Sequence, residues 1–330
     1  MILVKYNRLK DFKPYFYFAL EEYILNNLLK KDEFCFFFQW QIQGVVIGKN
    51  QIIENEVNLD FTTKNQIQLF RRPTGGGCVY NDPQTPLFSI ITAKKDKNFN
   101  FKEYLGKIIE AFGKLGINLY FSGRNDILLN EKKVSGNAFM QNKNGMVMHG
   151  TLLYDCDIDT MVRCITPNNE KLISKGITSV SSRVTNLKEH LNGMSQQELM
   201  DYLNNYLTNE EYNLTLDEIY KIEQMAKKYS SKEWIFGEHP AYDKKLQKRF
   251  NWGNLEIFLS LNKGKISKII FKGDFFHKEN NLSEFLEKFV NVSYNKKSLQ
   301  ELLKNIDIKN YIIDASNKDL LSLLEEGILY

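Results

Sequence analysis

Apolar residues recur at helical spacing from Tyr15 to Leu29, which predicts an early amphipathic helix with Glu21 and Glu22 facing out. Phe34 to Phe38 is a short unbroken apolar run and Val45-Val46-Ile47 another; they read as strands joined near Gln41 to Gly44. Ile67 to Phe70, Cys78 to Tyr80 and Leu87 to Ile91 continue the strand pattern. Phe101 to Leu115 returns to helical spacing and is stopped by Gly116. Leu119 to Phe121 and Ile127 to Leu129 form a hairpin-like pair across Ser122-Gly123-Arg124-Asn125-Asp126. A second pair follows, Lys133 to Met140 and Met146 to Tyr154. From Ser195 to Lys228 the pattern is helical. After a polar stretch at Asp243 to Lys248 come two strands, Leu255 to Leu261 and Ile266 to Phe271. Two helices, Leu282 to Val290 and Leu299 to Leu303, close the pattern. Strands and helices mix without strict βαβ alternation, so the expected class is α+β with a mainly antiparallel sheet. The last part holds enough apolar material for a second domain of about 80 residues.

Composition narrows the picture. Of 330 residues, 43% are hydrophobic and 25% charged, as in ordinary soluble globular proteins. A net charge of +4, from 44 basic and 40 acidic side chains, gives no case for a polyanion, so a nucleic-acid partner is not expected. No apolar run approaches the roughly 20 residues of a membrane span, and no signal peptide is evident. The four cysteines, Cys35, Cys78, Cys156 and Cys164, show no metal-ligand spacing; Cys35 and Cys78 read as buried thiols. A reducing, cytoplasmic setting is expected.

Candidate chemistry concentrates in Arg71-Arg72-Pro73-Thr74-Gly75-Gly76-Gly77-Cys78-Val79-Tyr80. A glycine run alone is usually a flexible turn. Here strand-like residues flank it on both sides, so a sheet can hold the loop rigid. Bare amide N–H groups in such a loop bind anions, and Arg72 can neutralise a carboxylate or phosphate. Lys133 stands at the mouth of a strand before the small residues Ser135 and Gly136, which leave room for a ligand. A lysine there can donate to an acyl carbonyl and an α-phosphate together. Asn125 and Asp126 share a turn; Asn125 suits an adenine edge and Asp126 a Mg²⁺ ion completed by phosphate oxygens. His149 and Thr151 follow a hydrophobic stretch; a lone histidine is more often structural than chemical. No Walker-type phosphate loop, G-x-S-x-G, H-E-x-x-H or dinucleotide fingerprint is present, so any ATP chemistry needs another cradle.

Taken together, these segments resemble the long bacterial lipoate–protein ligases of the biotin/lipoate ligase superfamily. RRPTGGGCVYND resembles the family's RRxSGGGxVxHD loop, SGRNDILL its SGRNDL turn, and KVSGNA its invariant-lysine strand. HGTLLYDCD and KGITSVSSRVTNL (175–187) follow in the family's order. Phe250-Asn251-Trp252-Gly253 resembles the opening of its C-terminal accessory domain. Asn81 stands where histidine is common, and Thr74 where serine is.

The resemblance implies a large catalytic domain over 1–242 with mixed, mainly antiparallel sheets, a linker at 243–250, and a small α/β accessory domain at 251–330. It implies ATP and lipoic acid as substrates, with Mg²⁺ at Asp126. Lipoyl-AMP forms first, and a lysine of a lipoyl-carrier domain then takes the acyl group. The expected carriers are an E2 subunit of a 2-oxoacid dehydrogenase or the glycine-cleavage H protein. A monomer is expected. Lys133 becomes the catalytic residue. The adenylate would be held by Arg72, Gly75, Gly76, Gly77, Cys78, Val79, Tyr80, Asn125, Asp126, Ser135, Gly136, His149, Thr151, Lys175, Ser181 and Arg183. Val46, Val79 and Phe88 are expected to line the slot for the lipoyl tail. The main alternative is an ATP-independent octanoyl or lipoyl amidotransferase using Cys156 or Cys164 as nucleophile; biotin ligase fits less, because its loop sets arginine between the glycines.

Overall fold

The computed structural model describes the chain except residues 7–12, 30–34, 94–100, 124, 166–182, 238–239, 279–280 and 329–330. Its strands in chain order are β1 (Ile2–Lys5), β2 (Cys35–Trp40), β3 (Gly44–Ile47), β4 (Leu69–Arg71), β5 (Val79–Asn81), β6 (Leu87–Ala93) and β7 (Tyr120–Ser122). They continue as β8 (Asp126–Leu129), β9 (Lys132–Gln141), β10 (Gly145–Thr151), β11 (Glu210–Asn213), β12 (Lys244–Phe250), β13 (Gly253–Asn262) and β14 (Lys265–Gly273). The main sheet runs β11-β1-β2-β6-β10-β9-β8-β7, and a small one runs β4-β3-β5. Pairing is antiparallel except at β1–β11, β1–β2 and β3–β4, giving the α+β class that the mixed pattern predicts.

Helices cover both faces of the main sheet, and this explains its unbroken apolar strands. Helix α1 (Pro14–Tyr23) packs beside α2 (Leu216–Ser230) on one face, with Phe36, Phe38 and Trp40 beneath them. Phe37 of the same strand points the other way, into a core built with Phe101–Lys114 and Gln196–Leu207. The pleat alternates as usual; both sides are simply dry. Ser195 and Thr215 each close a capping box with the glutamate three residues on, which fixes where two of these helices begin.

Four expectations change. Glu21 does not face out: it is 0% exposed, because two polar side chains of the sheet, Ser89 and His149, converge on it. The first helix becomes a π-turn after Tyr23, over Ile24–Leu28. The helical run from Ser195 is broken by β11, which adds to the edge of the main sheet through β1. Residues 243–250 are not a linker: Lys244–Phe250 is β12, paired along its whole length with β13. Its charged residues fall in adjacent pairs, Lys244-Lys245 and Lys248-Arg249, on an edge strand, a pattern that reads as polar connector.

The sheet β12-β13-β14 packs against Lys296–Asn305 and Asn317–Glu326 around its own core, including Trp252, Phe285, Phe289 and Leu320. This unit reaches the rest of the chain through Glu256 of β13, which accepts from Asn55, and through the end of β14 and the residues after it. Gly273 N donates to Asn50 O at 3.0 Å, His277 Nε2 bonds Asn50 Oδ1 at 2.9 Å, and Phe276 stacks on Phe139 at 4.8 Å.

Candidate active site

The glycine loop spans the turn from β4 to β5, both hydrogen-bonded to β3. Arg72 shapes it from within. The guanidinium donates through Nε to Thr74 Oγ1 and Gly75 O, through Nη2 to Gly75 O and Gly77 O, and through Nη1 to Val46 O. Four of its five N–H donors are thereby spent, three on the loop and one on β3, and the fifth has no partner among the described residues. Burial pulls Arg72 down to about 10, so it stays charged at neutral pH. Arg71 is likewise turned inward, onto the carbonyls of Gly48, Gln51 and Ile235.

The three glycines have different surroundings. A Cβ on Gly75 would lie 2.3 Å from Phe275 O, and one on Gly76 would lie 2.9 Å from the Phe276 ring. Gly77 has nothing within 4 Å and opens on the cavity. Among the described residues, none of the three amide N–H groups has a hydrogen-bond partner. They remain available to an anion.

One cavity collects Arg72, Gly77, Cys78, Val79, Asn125, Lys133, Gly136, His149 and Thr151, nine of the expected site residues. Phe18, Trp40, Val46 and Leu87 supply its apolar wall. Lys133 sits beside Gly136, where a Cβ would meet its Nζ at 2.7 Å, so the bare glycine is the shelf for the ammonium. Lys133 Nζ lies 2.8 Å from Asp126 Oδ1 on the neighbouring strand. The Asn125 turn is pinned to β9: its side-chain amide donates to Asn137 O, and Asn137 donates back to Asn125 O through N and Nδ2. Arg183 comes to Lys133 through the main chain, with Lys133 N donating to Arg183 O at 2.7 Å.

Behind the cavity runs a buried polar chain. Thr74 Oγ1 accepts from Arg72 Nε, which leaves its proton for His149 Nε2 at 3.0 Å. His149 Nδ1 then donates to Glu21 Oε1 at 2.9 Å. The same oxygen accepts from Ser89 Oγ, which accepts from Trp40 Nε1. The loop and the apolar wall are thus tied to one carboxylate.

Other expected residues lie elsewhere. Gly75 and Gly76 face Phe275 and Phe276, Tyr80 packs with Cys156 and Met161, and Ser135 is fully buried behind the wall. Phe88 backs Gly150 and does not line the slot. Lys175 and Ser181 fall outside the described residues, as do Phe34 and Arg124. Phe18, Trp40, Leu87 and Glu21 were missed by the sequence reading.

Asp126 keeps one carboxylate oxygen clear of Lys133. One or two carboxylates plus phosphate is the donor set Mg²⁺ ordinarily takes, so Asp126 fits that ion. No cluster of three acidic, histidine or cysteine ligands occurs among the described residues. Neither thiol proposed as a nucleophile lies at the cavity. Cys156 and Cys164 are buried in a separate core, and burial raises both to about 12. Cys35 and Cys78 are only half-buried, contrary to expectation, and burial around the Cys78 sulfur raises it further still.

Residues 13–208 match the Lipoyl protein ligase A/B catalytic domain, and 239–324 match the Bacterial lipoate protein ligase C-terminus. Lipoate-protein ligase LplJ of Bacillus subtilis (strain 168) is 32% identical, over 98% of this chain and 100% of that protein. LipL1 of P. falciparum, solved in complex with lipoate, superposes with TM-score 0.78 at 23% identity, covering 100% of this chain and 99% of that one. A bipartite lipoate protein ligase of Thermoplasma acidophilum, described with its E2 lipoyl domain, gives TM-score 0.64 at 25% identity over 74% of this chain and 98% of its own. The chain belongs to the lipoate–protein ligase family, and it is a ligase.

Proposed function

We propose that this protein joins free lipoate to ATP in the cavity beside Lys133 and passes the lipoyl group to a carrier lysine. The observation carrying this reading is the shared cavity. The unpartnered amide of Gly77, the buried charge of Arg72 and the ammonium of Lys133 line the same cavity as the apolar side chains of Phe18, Trp40, Val46 and Leu87. An acid with a hydrophobic tail and a nucleotide phosphate suit that mixed lining.

In the first half-reaction a carboxylate oxygen of lipoate bonds to the α-phosphorus of ATP, and pyrophosphate leaves with the electron pair of the broken P–O bond. Two anions must approach, so nearby cations and amide dipoles lower the barrier. Arg72 contributes mainly by holding the loop amides outward, and Lys133 by binding the carboxylate. Mg²⁺ would be held by Asp126 with nucleotide oxygens and would neutralise phosphate charge. In the second half-reaction an uncharged lysine amine attacks the acyl carbon, AMP departs, and the amine loses a proton as the amide forms. Lys133 then polarises the carbonyl.

The acceptor in this reading is a lipoyl domain, an E2 subunit or the glycine-cleavage H protein; the Thermoplasma neighbour's pairing with an E2 lipoyl domain supports the class. A reducing cytoplasm suits four free cysteines. An ATP-independent acyl transferase is not favoured, since it needs a reactive thiol, and the candidates Cys156 and Cys164 are buried away from the cavity and hard to ionise. Pyrophosphate release from ATP and lipoate tests the activation. We expect release by the native chain and a loss of 10²- to 10³-fold in Lys133→Ala; undiminished release in that variant would remove Lys133 from the chemistry.

A further inference from the structure

We propose that Asp126 is a built-in rival of the substrate carboxylate for Lys133, so that the incoming acid must displace it. The proposal rests on the cavity being the lipoate site. Lys133 Nζ lies 2.8 Å from Asp126 Oδ1. Lys133 belongs to the cavity wall, so an acid in the cavity reaches the same ammonium that Asp126 already holds. The two strands register Asp126 directly against Gly136, whose missing Cβ lets the ammonium lie across to it. Both side chains are 33% exposed. The contacted oxygen is itself shielded from water, and its contact with the ammonium is an ion pair without hydrogen-bond geometry, so a carboxylate that can hydrogen-bond the ammonium competes with it.

The chemistry is a competition for one cation. A lysine ammonium has three donors but a single charge, so it cannot neutralise two carboxylates at once. Asp126 presents the same functional group as the substrate head. It therefore holds Lys133 in place while the cavity is empty of acid and lowers the apparent affinity for any acid that arrives. Asp126 is in this sense a positioning residue with a cost in binding.

The test is calorimetric titration without nucleotide or divalent cation, using lipoate and its uncharged analogue lipoamide. In Asp126→Asn the dissociation constant for lipoate should fall about two- to fivefold, the range of a half-exposed ion pair. Lipoamide fills the same slot without a carboxylate and should bind both proteins alike. Pyrophosphate release should fall in the same variant, so acid binding and activation move in opposite directions. Unchanged or weaker lipoate binding overturns the proposal, as does an equal gain for lipoamide, which would mean a change of cavity shape. A native chain that binds neither ligand would overturn the lipoate reading itself, and the proposal with it. If Asp126→Asn fails to fold, Asp126→Ser carries the same expectations.

Discussion

The ammonium of Lys133 has its place because Gly136 has no side chain. A methyl group there would sit 2.7 Å from Nζ and 2.8 Å from Cε, and the end of a lysine yields more easily than a strand. Gly136→Ala should therefore leave stability within about 0.5 kcal/mol, as substitutions clear of the core usually do. Activation should nonetheless drop about 10²-fold through the displaced donor. Thermal melting and pyrophosphate release on the same sample check both halves; a destabilised variant would show that β9 itself had moved. Lys133 and the glycine loop stood out in the sequence because a glycine run and a lysine before small residues are local patterns, whereas their partners Asp126, Phe275 and Phe276 come from other elements. Glu21 was misread for a different reason. It stands three residues after Phe18 and four before Leu25, both nearly fully buried, so helical spacing already put it on the inner stripe. A scale that counts glutamate as surface hides this. The donors that make its burial tolerable, from Ser89 and His149, come from 68 and 128 residues away.

At the level of elements, the glycine loop keeps its shape through one planar cation that reaches carbonyls on two sides. Lysine in its place would bring a single point of charge and could not meet Val46 O, Gly75 O and Gly77 O together. Arg72→Lys should cost at least about 2 kcal/mol, since buried acceptors lose their partners. Denaturant unfolding of the two proteins measures it, and an unchanged midpoint would mean that the loop does not depend on the fork. The strands around this loop were legible because they are short apolar runs between turn signals. β12 was not, since an edge strand with lysines at Lys244, Lys245 and Lys248 has the composition of a connector. Only the pairing with β13, supplied by the other half of a hairpin, makes it a strand. The same holds for β11, which gains its place from β1 at the start of the sequence.

Across the whole molecule, the C-terminal unit rests on the face of the glycine loop that the cavity does not use. Its contact is partly titratable. Glu56 is pushed up to about 7 by burial first, helped by Asp274 and Glu256 of the C-terminal unit and opposed by a hydrogen bond from Gln51 and the charge of Arg249. A carboxyl whose folded value is raised binds its proton more tightly than in the unfolded chain. Stability should then fall as pH rises from the ordinary glutamate range, roughly 4.3, to about 7, and level off above it. Glu56→Gln should flatten that slope and melt higher than the native chain at pH 8; parallel melting curves across the series would rule Glu56 out as the cause.

Gly75 gives the sharper test of why the two units touch. Its Cα faces the Phe275 carbonyl, with 2.3 Å left for an added Cβ, and backbone on both sides cannot yield as a side chain would. Gly75→Ala must therefore push the C-terminal unit off the loop or shift the loop toward the cavity. If that contact holds the loop amides in position for phosphate, lipoyl-AMP formation should fall at least tenfold. Transfer from preformed lipoyl-AMP, which no longer needs pyrophosphate held, should change much less. Measuring the two half-reactions separately decides the matter. Equal losses would mean that Gly75 supports only the general packing of the loop, and that the C-terminal unit has no preferential part in activation.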